Sequence, residues 1–144
     1  MKKILYVNSC FKEGSRTNEL AQHLLGSLDG EIETVNLYEE NIKPLDAGML
    51  LKRDELLKSG KTDDDFLGLA RQFASADIIV IAAPYWDLLF PAVLRIYLEN
   101  ITVCTVIIFE EITSMYGVQC KPPSVDCFVL LNSSILFCYH CFCP

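Results

Sequence analysis

Cys10 and Arg16 are separated by five residues, and Thr17 follows directly. A thiol and a guanidinium at that spacing in one loop can attack and clamp a phosphate. The sulfur would be the nucleophile, and the arginine would pair with two oxygens at once. The same stretch, VNSCFKEGSRTNEL over residues 7–20, also carries Ser9, Ser15 and Thr17. Without Cys10 as a reactant, these form a cradle of neutral hydroxyls that holds a phosphate and leaves it intact. Both readings need the loop to run into a helix N-terminus, where unpaired N–H groups and the positive dipole end favour anions. Neither glycine-rich signature, G-x-x-x-x-G-K-[ST] or G-x-G-x-x-G, is present.

The elements that must position this loop are legible around it. Lys3–Asn8 (KILYVN) predicts a strand, and Arg16–Leu28 a helix with Leu20, Leu24, Leu25 and Leu28 on one face and His23 off it. Ser15 or Thr17 would cap that helix, and Asp29-Gly30 would stop it. Glu31–Leu37 predicts a second strand, and Asp46–Lys58 a short helix. Thr62 opens a further helix, with Asp63, Asp64 and Asp65 in its first turn and Phe66, Leu69, Ala70, Phe73 and Ala74 at helical spacing. Asp77–Pro84 (DIIVIAAP) is apolar on both faces, as a buried parallel strand must be. Pro91 starts another helix, with Leu94, Tyr97, Leu98 and Ile101 on one face. The alternation of strand and helix implies a parallel sheet covered on both sides. Ligands bind such sheets at the carboxyl ends of the strands, near the switch in strand order. Two loops fall there, residues 9–17 and 84–91.

The chain has 144 residues and a net charge of −7. That length is one domain's worth of core, residues 1–144, and the acidic balance argues against nucleic acid and anionic membrane surfaces as partners. No basic segment followed by an apolar run opens the sequence, so a cytoplasmic location is expected. Of seven cysteines, only Cys10 lies early; an odd count without a secretory signal argues against a disulfide framework. Beyond Cys104 the texture changes. Thr105–Phe109 and Cys127–Leu131 are candidate strands, whereas ILFCYHCFCP at the end has no clear periodicity. Cys138, His140, Cys141 and Cys143 fit no standard zinc spacing, so no metal is expected.

The C-x5-R-[ST] loop after a first strand resembles that of the low-molecular-weight tyrosine phosphatases. Phe11, Lys12 and Glu13 depart from the small, uncharged residues of that loop, and no Asp-Pro general acid occurs. A second resemblance rests on two separated motifs. Pro84-Tyr85-Trp86-Asp87-Leu88-Leu89-Phe90-Pro91 is similar to the P-[MY]-[YW]-[ND]-[FL]-x-x-P segment of the flavodoxin-like NAD(P)H-dependent FMN oxidoreductases, the azoreductase and quinone-reductase family. Ser9 and Ser15-Arg16-Thr17 match that family's phosphate-binding serine and S-x-[ST].

The resemblance covers about residues 1–104 and leaves 105–144 as a divergent tail. It implies a flavodoxin-like, doubly wound α/β fold whose C-terminal part is altered. It implies FMN held at Ser9, Ser15, Arg16 and Thr17, with Pro84, Tyr85, Trp86, Asp87 and Leu88 along the flavin. It also implies NAD(P)H as co-substrate, a small quinone- or azo-type acceptor and a homodimer. Asp87 either touches the flavin or caps the next helix. Hydride transfer is the flavin's own chemistry, so no catalytic acid or base is assigned. A cysteine phosphatase and an inactive flavin-binding remnant are the alternatives.

Overall fold

The computed structural model describes residues 1–86, 89–102, 126–131 and 134–138, the last two ranges as backbone strands. Strand β1 (Lys3–Asn8) has the bounds its sequence predicts, and Ile4, Leu5, Tyr6 and Val7 are all buried. Helix α1 follows at Arg16–Ser27, then β2 (Glu31–Asn36) and α2 (Ala47–Lys58). A 3-10 turn at Asp65–Leu67 leads into α3 (Gly68–Ala74), and β3 runs over Ile78–Ala83 with every residue buried. Helix α4 covers 92–102. Strands β4 (Asp126–Leu131) and β5 (Ser134–Cys138) complete the sheet.

The strand order is β2-β1-β3-β4-β5. β1 pairs in parallel with both β2 and β3, and β3 with β4; β5 is antiparallel to β4. The fold is therefore flavodoxin-like, with the antiparallel β5 at its far edge. The order reverses between β1 and β3, which places the loops after those two strands side by side. At the near edge, β2 presents Glu31 and Glu33, charges that discourage a further strand from pairing there.

Each sheet face has its own core. On one side Ile4, Tyr6, Ile78, Val80 and Ala82 meet Ala21 and Leu25 of α1. On the other, Leu5, Val7, Val35, Ile79 and Ile81 meet Leu94, Tyr97 and Ile101 of α4, with Leu69 and Phe73 of α3 packed alongside. A satellite cluster of Leu56 and Leu67 ties α2 to the 3-10 turn.

Several expectations shift. The helix expected from Thr62 starts later. The Asp64 carboxylate accepts the Phe66 N–H at 2.9 Å, and Arg71 Nη1 donates to the carbonyls of Thr62 (2.6 Å) and Asp64 (2.7 Å). Those bonds hold residues 62–64 outside the helix. Leu98 is 38% exposed, off the buried face of α4. On α1 the buried stripe is Thr17, Ala21 and Leu25, with Leu20, Leu24 and Leu28 half-buried at its margin. The candidate strand Cys127–Leu131 appears as β4, and the run without periodicity contributes β5. The candidate strand Thr105–Phe109 lies outside the described residues.

Candidate functional site

The loop after β1 is shaped by side chains that fold back on it. Asn8 Oδ1 accepts the Cys10 N–H at 2.9 Å, turning the chain as it leaves the strand. Ser9 is fully buried, and both its N–H (3.0 Å) and its hydroxyl (2.7 Å) donate to the carbonyl of Ala82 near the end of β3. Gly14 has φ of 69°, a left-handed conformation that reverses the loop before α1. Ser15 occupies the N-cap position with φ −64° and ψ 120°, but its hydroxyl makes no cap bond. First-turn N–H groups of a helix have no intrahelical acceptor, so those of α1 remain open donors. Thr17, in that turn, is 2% exposed, and Arg16 is exposed.

Cys10 is nearly buried, its sulfur 3.8 Å from the same Ala82 carbonyl. Burial raises its pKa above the ordinary 9.0, and a hydrogen bond with Ser15 pulls it back only in part. A neutral thiol beneath the loop is a poor nucleophile, which disfavours the phosphatase alternative. Phe11 points outward at 69% exposure, with its ring 5.2 Å from that of Tyr38 beyond β2. Sequence reasoning passed over Tyr38; its signal was an aromatic placed directly after a strand at the ligand edge.

Beneath the first turn of α1, the Tyr6 hydroxyl donates to Asn18 Oδ1 at 2.6 Å. Sequence reasoning also missed this pair, because a tyrosine within an apolar strand reads as core.

In the second loop Pro84 is buried, while Tyr85 (41%) and Trp86 (40%) are exposed aromatics. Trp86 and Leu89 exchange two backbone hydrogen bonds of 2.9 Å each, closing a tight turn. Asp87 and Leu88 lie outside the described residues. The Tyr85 and Phe90 rings meet edge to face at 6.0 Å, and α4 begins just past Pro91. Ser9 and Ala82 thus join the roots of the two loops, two residues before Pro84.

Neutral donors at an open helix end beside exposed aromatics are a donor set suited to a phosphate attached to a planar ring. His23 is exposed on α1, away from this set. Among the described residues no group of three or more His, Cys, Asp or Glu side chains could hold a metal. The cysteine and histidine cluster at 138–143 lies beyond the described side chains. No helix among the described residues is long and apolar enough to cross a membrane. A surface depression of about 620 Å³ lies at the opposite end of the strands, lined by Met1, Lys2, Ser27, Leu28, Asp29 and Asp77. It is wide open and has none of the loop donors, so the chemistry is better placed at the carboxyl edge.

A family model described as flavodoxin-like fold matches residues 2–116. An FMN-dependent NADH:quinone oxidoreductase of Lachnoclostridium phytofermentans is 37% identical over 110 residues, covering 72% of this chain and 56% of the relative. A protein of the same name, numbered 2, from Clostridium acetobutylicum is 38% identical over 110 residues, with 72% and 54% covered. The chain spans about half the length of these curated relatives. Among solved structures, an azoreductase from Bacillus anthracis str. Sterne superposes with a TM-score of 0.60 at 22% identity, covering 70% of this chain and 55% of that one. An FMN-dependent NADH-azoreductase from Bacillus anthracis str. Ames Ancestor, in complex with FMN, gives 0.55 at 25% identity, with 70% and 55% covered.

Proposed function

The chain belongs to the flavodoxin-like family, and from that premise we propose that it binds FMN and carries electrons from NAD(P)H to a small quinone- or azo-type acceptor. The observation that carries this reading is the uncapped N-terminus of α1, held beside the aromatic loop by the Ser9–Ala82 bonds. The names of the relatives favour NADH as the donor and a quinone as the acceptor.

Each residue then has a role. The first-turn N–H groups of α1 and the hydroxyls of Ser15 and Thr17 hold the phosphate, and Arg16 adds a cation at the rim. Ser9 fixes the loop to β3; its proton is already given to Ala82, so it orients the cradle and offers the phosphate no donor in this arrangement. Pro84, Tyr85, Trp86, Asp87 and Leu88 line the ring, with backbone groups at its polar edge and side chains at its face. Bound FMN would supply the redox chemistry itself. No residue is assigned as acid or base. We read 1–144 as one domain, acting in the cytoplasm.

Trp86 is the only tryptophan, so its fluorescence reports on this site. FMN should quench it, and riboflavin, which lacks the phosphate, should bind at least about tenfold more weakly, the loss of one charge-assisted hydrogen bond or more. Equal quenching by both at equal concentration would remove the phosphate cradle, and no quenching by either would remove flavin binding.

A further inference from the structure

We infer that Tyr6 and Asn18 form a positioning pair that sets the first turn of α1 for phosphate binding; this rests on the FMN reading above. Tyr6 lies mid-strand in β1, level with Thr34 on β2 and Val80 on β3, and is 2% exposed. A phenylalanine would fill the same space among Ile4, Ala21 and Leu25 without a polar atom to satisfy. A buried hydroxyl is costly unless bonded, so the oxygen here has to be explained by its partner. That partner is Asn18 Oδ1, at 2.6 Å.

Asn18 is the third residue of α1, within the turn whose N–H groups are open. Burial, reinforced by nearby Cys10, pushes the Tyr6 pKa far above its ordinary 10.0, and the group therefore remains a donor at any working pH. With Oδ1 accepting from Tyr6, the Asn18 amide keeps both of its N–H donors, the polarity an anion requires. Ser15 makes no cap bond, so the bond from β1 supplies an anchor for this helix end that leaves its N–H groups uncovered. Ser9 directly follows β1, which grips α1 through Tyr6, so the two halves of the cradle are referenced to one strand.

Tyr6→Phe and Asn18→Ala, singly and together, test the pair in the full chain, with FMN and riboflavin affinities read from Trp86 fluorescence and folding from circular dichroism. Tyr6→Phe should weaken FMN by roughly threefold to tenfold and leave riboflavin unchanged, the range expected for one net hydrogen bond. Asn18→Ala should weaken FMN at least as much. The double variant should be no worse than Asn18→Ala alone, because Tyr6 acts through Asn18. A general loosening of the fold would lower both affinities together, and that outcome overturns the inference. So does an unchanged FMN affinity in Tyr6→Phe, or additive losses in the double variant. If the unmodified chain binds FMN no better than riboflavin, the cradle reading fails first and takes the inference with it. Asn18 is only half-buried, so its alanine variant still tests the pair if Tyr6→Phe does not fold: unchanged FMN affinity there overturns the inference.

Discussion

Ser9 and Ala82 are joined twice, through the N–H and the hydroxyl of Ser9, both donating to the Ala82 carbonyl at 3.0 and 2.7 Å. The pair couples the two loops that line the candidate site, across 73 residues of sequence.

Ser9→Ala removes the hydroxyl bond and keeps the amide one, so the carbonyl stays satisfied. The expected cost is about 0.5–1.5 kcal/mol in urea unfolding, since no orphaned group is created. FMN affinity should fall through the loosened loop while riboflavin affinity is preserved. A loss well above about 3 kcal/mol would mean that Ser9 supports more than this one contact.

Cys10→Ser should leave FMN binding nearly intact, because the thiol lies under the loop and the proposed site holds the phosphate from α1. In the parent chain, alkylation of Cys10 by iodoacetamide at neutral pH, followed on its own peptide because six other cysteines are present, should be slow, as burial keeps this thiol protonated. Rapid alkylation, or hydrolysis of an aryl phosphate lost in Cys10→Ser, would restore the phosphatase alternative.

Stability should decline in alkali. The pKa values of Cys10, Tyr6 and Tyr97 are all raised in the folded chain, each chiefly by burial, from ordinary values of 9.0, 10.0 and 10.0. Below pH 9 these groups are protonated in both states and their contribution is complete. As pH climbs through 9 and 10 the unfolded chain ionises first, and the folded state is progressively disfavoured. Urea midpoints measured at about pH 7, 9 and 10.5 should fall across the last interval. A flat profile would show that these groups ionise freely in the native state.

Two glycines should respond with opposite sign. A Cβ on Gly30 would sit 2.6 Å from the Lys2 carbonyl and 2.9 Å from Ile4 Cδ1, and that carbonyl already accepts the Glu31 N–H at 2.8 Å. Gly30→Ala should cost about 1–3 kcal/mol. Gly26, exposed near the end of α1 with nothing within 4 Å of such a Cβ, should gain about 0.5–1 kcal/mol on conversion to alanine. Thermal melts of the two variants decide both signs.

The central strands were legible because burial on two faces leaves a continuous apolar run, as in Ile78–Ala83 and in Ile4–Val7. The site loops were legible from where those runs stop. The rest depended on contacts that no local pattern encodes. Arg71 reaches back nine residues to Thr62 and delays the start of α3. Ser9, in a polar loop, reads as a surface hydroxyl, yet it is buried against a strand far along the chain. Strand β5 is too short and too evenly apolar for its period to show. Thr17 was expected as a cap or a ligand contact, and the structure adds that it belongs to the buried stripe of α1.

The antiparallel turn of β5 onto β4 has a kinetic consequence. Leu131 pairs with Ser134, so this hairpin needs almost no loop closure and can form within about 1–10 μs. The pairing of β1 with β3 joins residues 74 apart, as Ile4 with Ile78, and parallel strands this far apart meet slowly. The proposed cradle needs that encounter, because its two loops meet only when β1 and β3 pair. Saturating FMN is therefore expected to slow unfolding and leave the refolding rate almost unaltered, and a refolding rate that rises with FMN would place the β1–β3 pairing within the transition state.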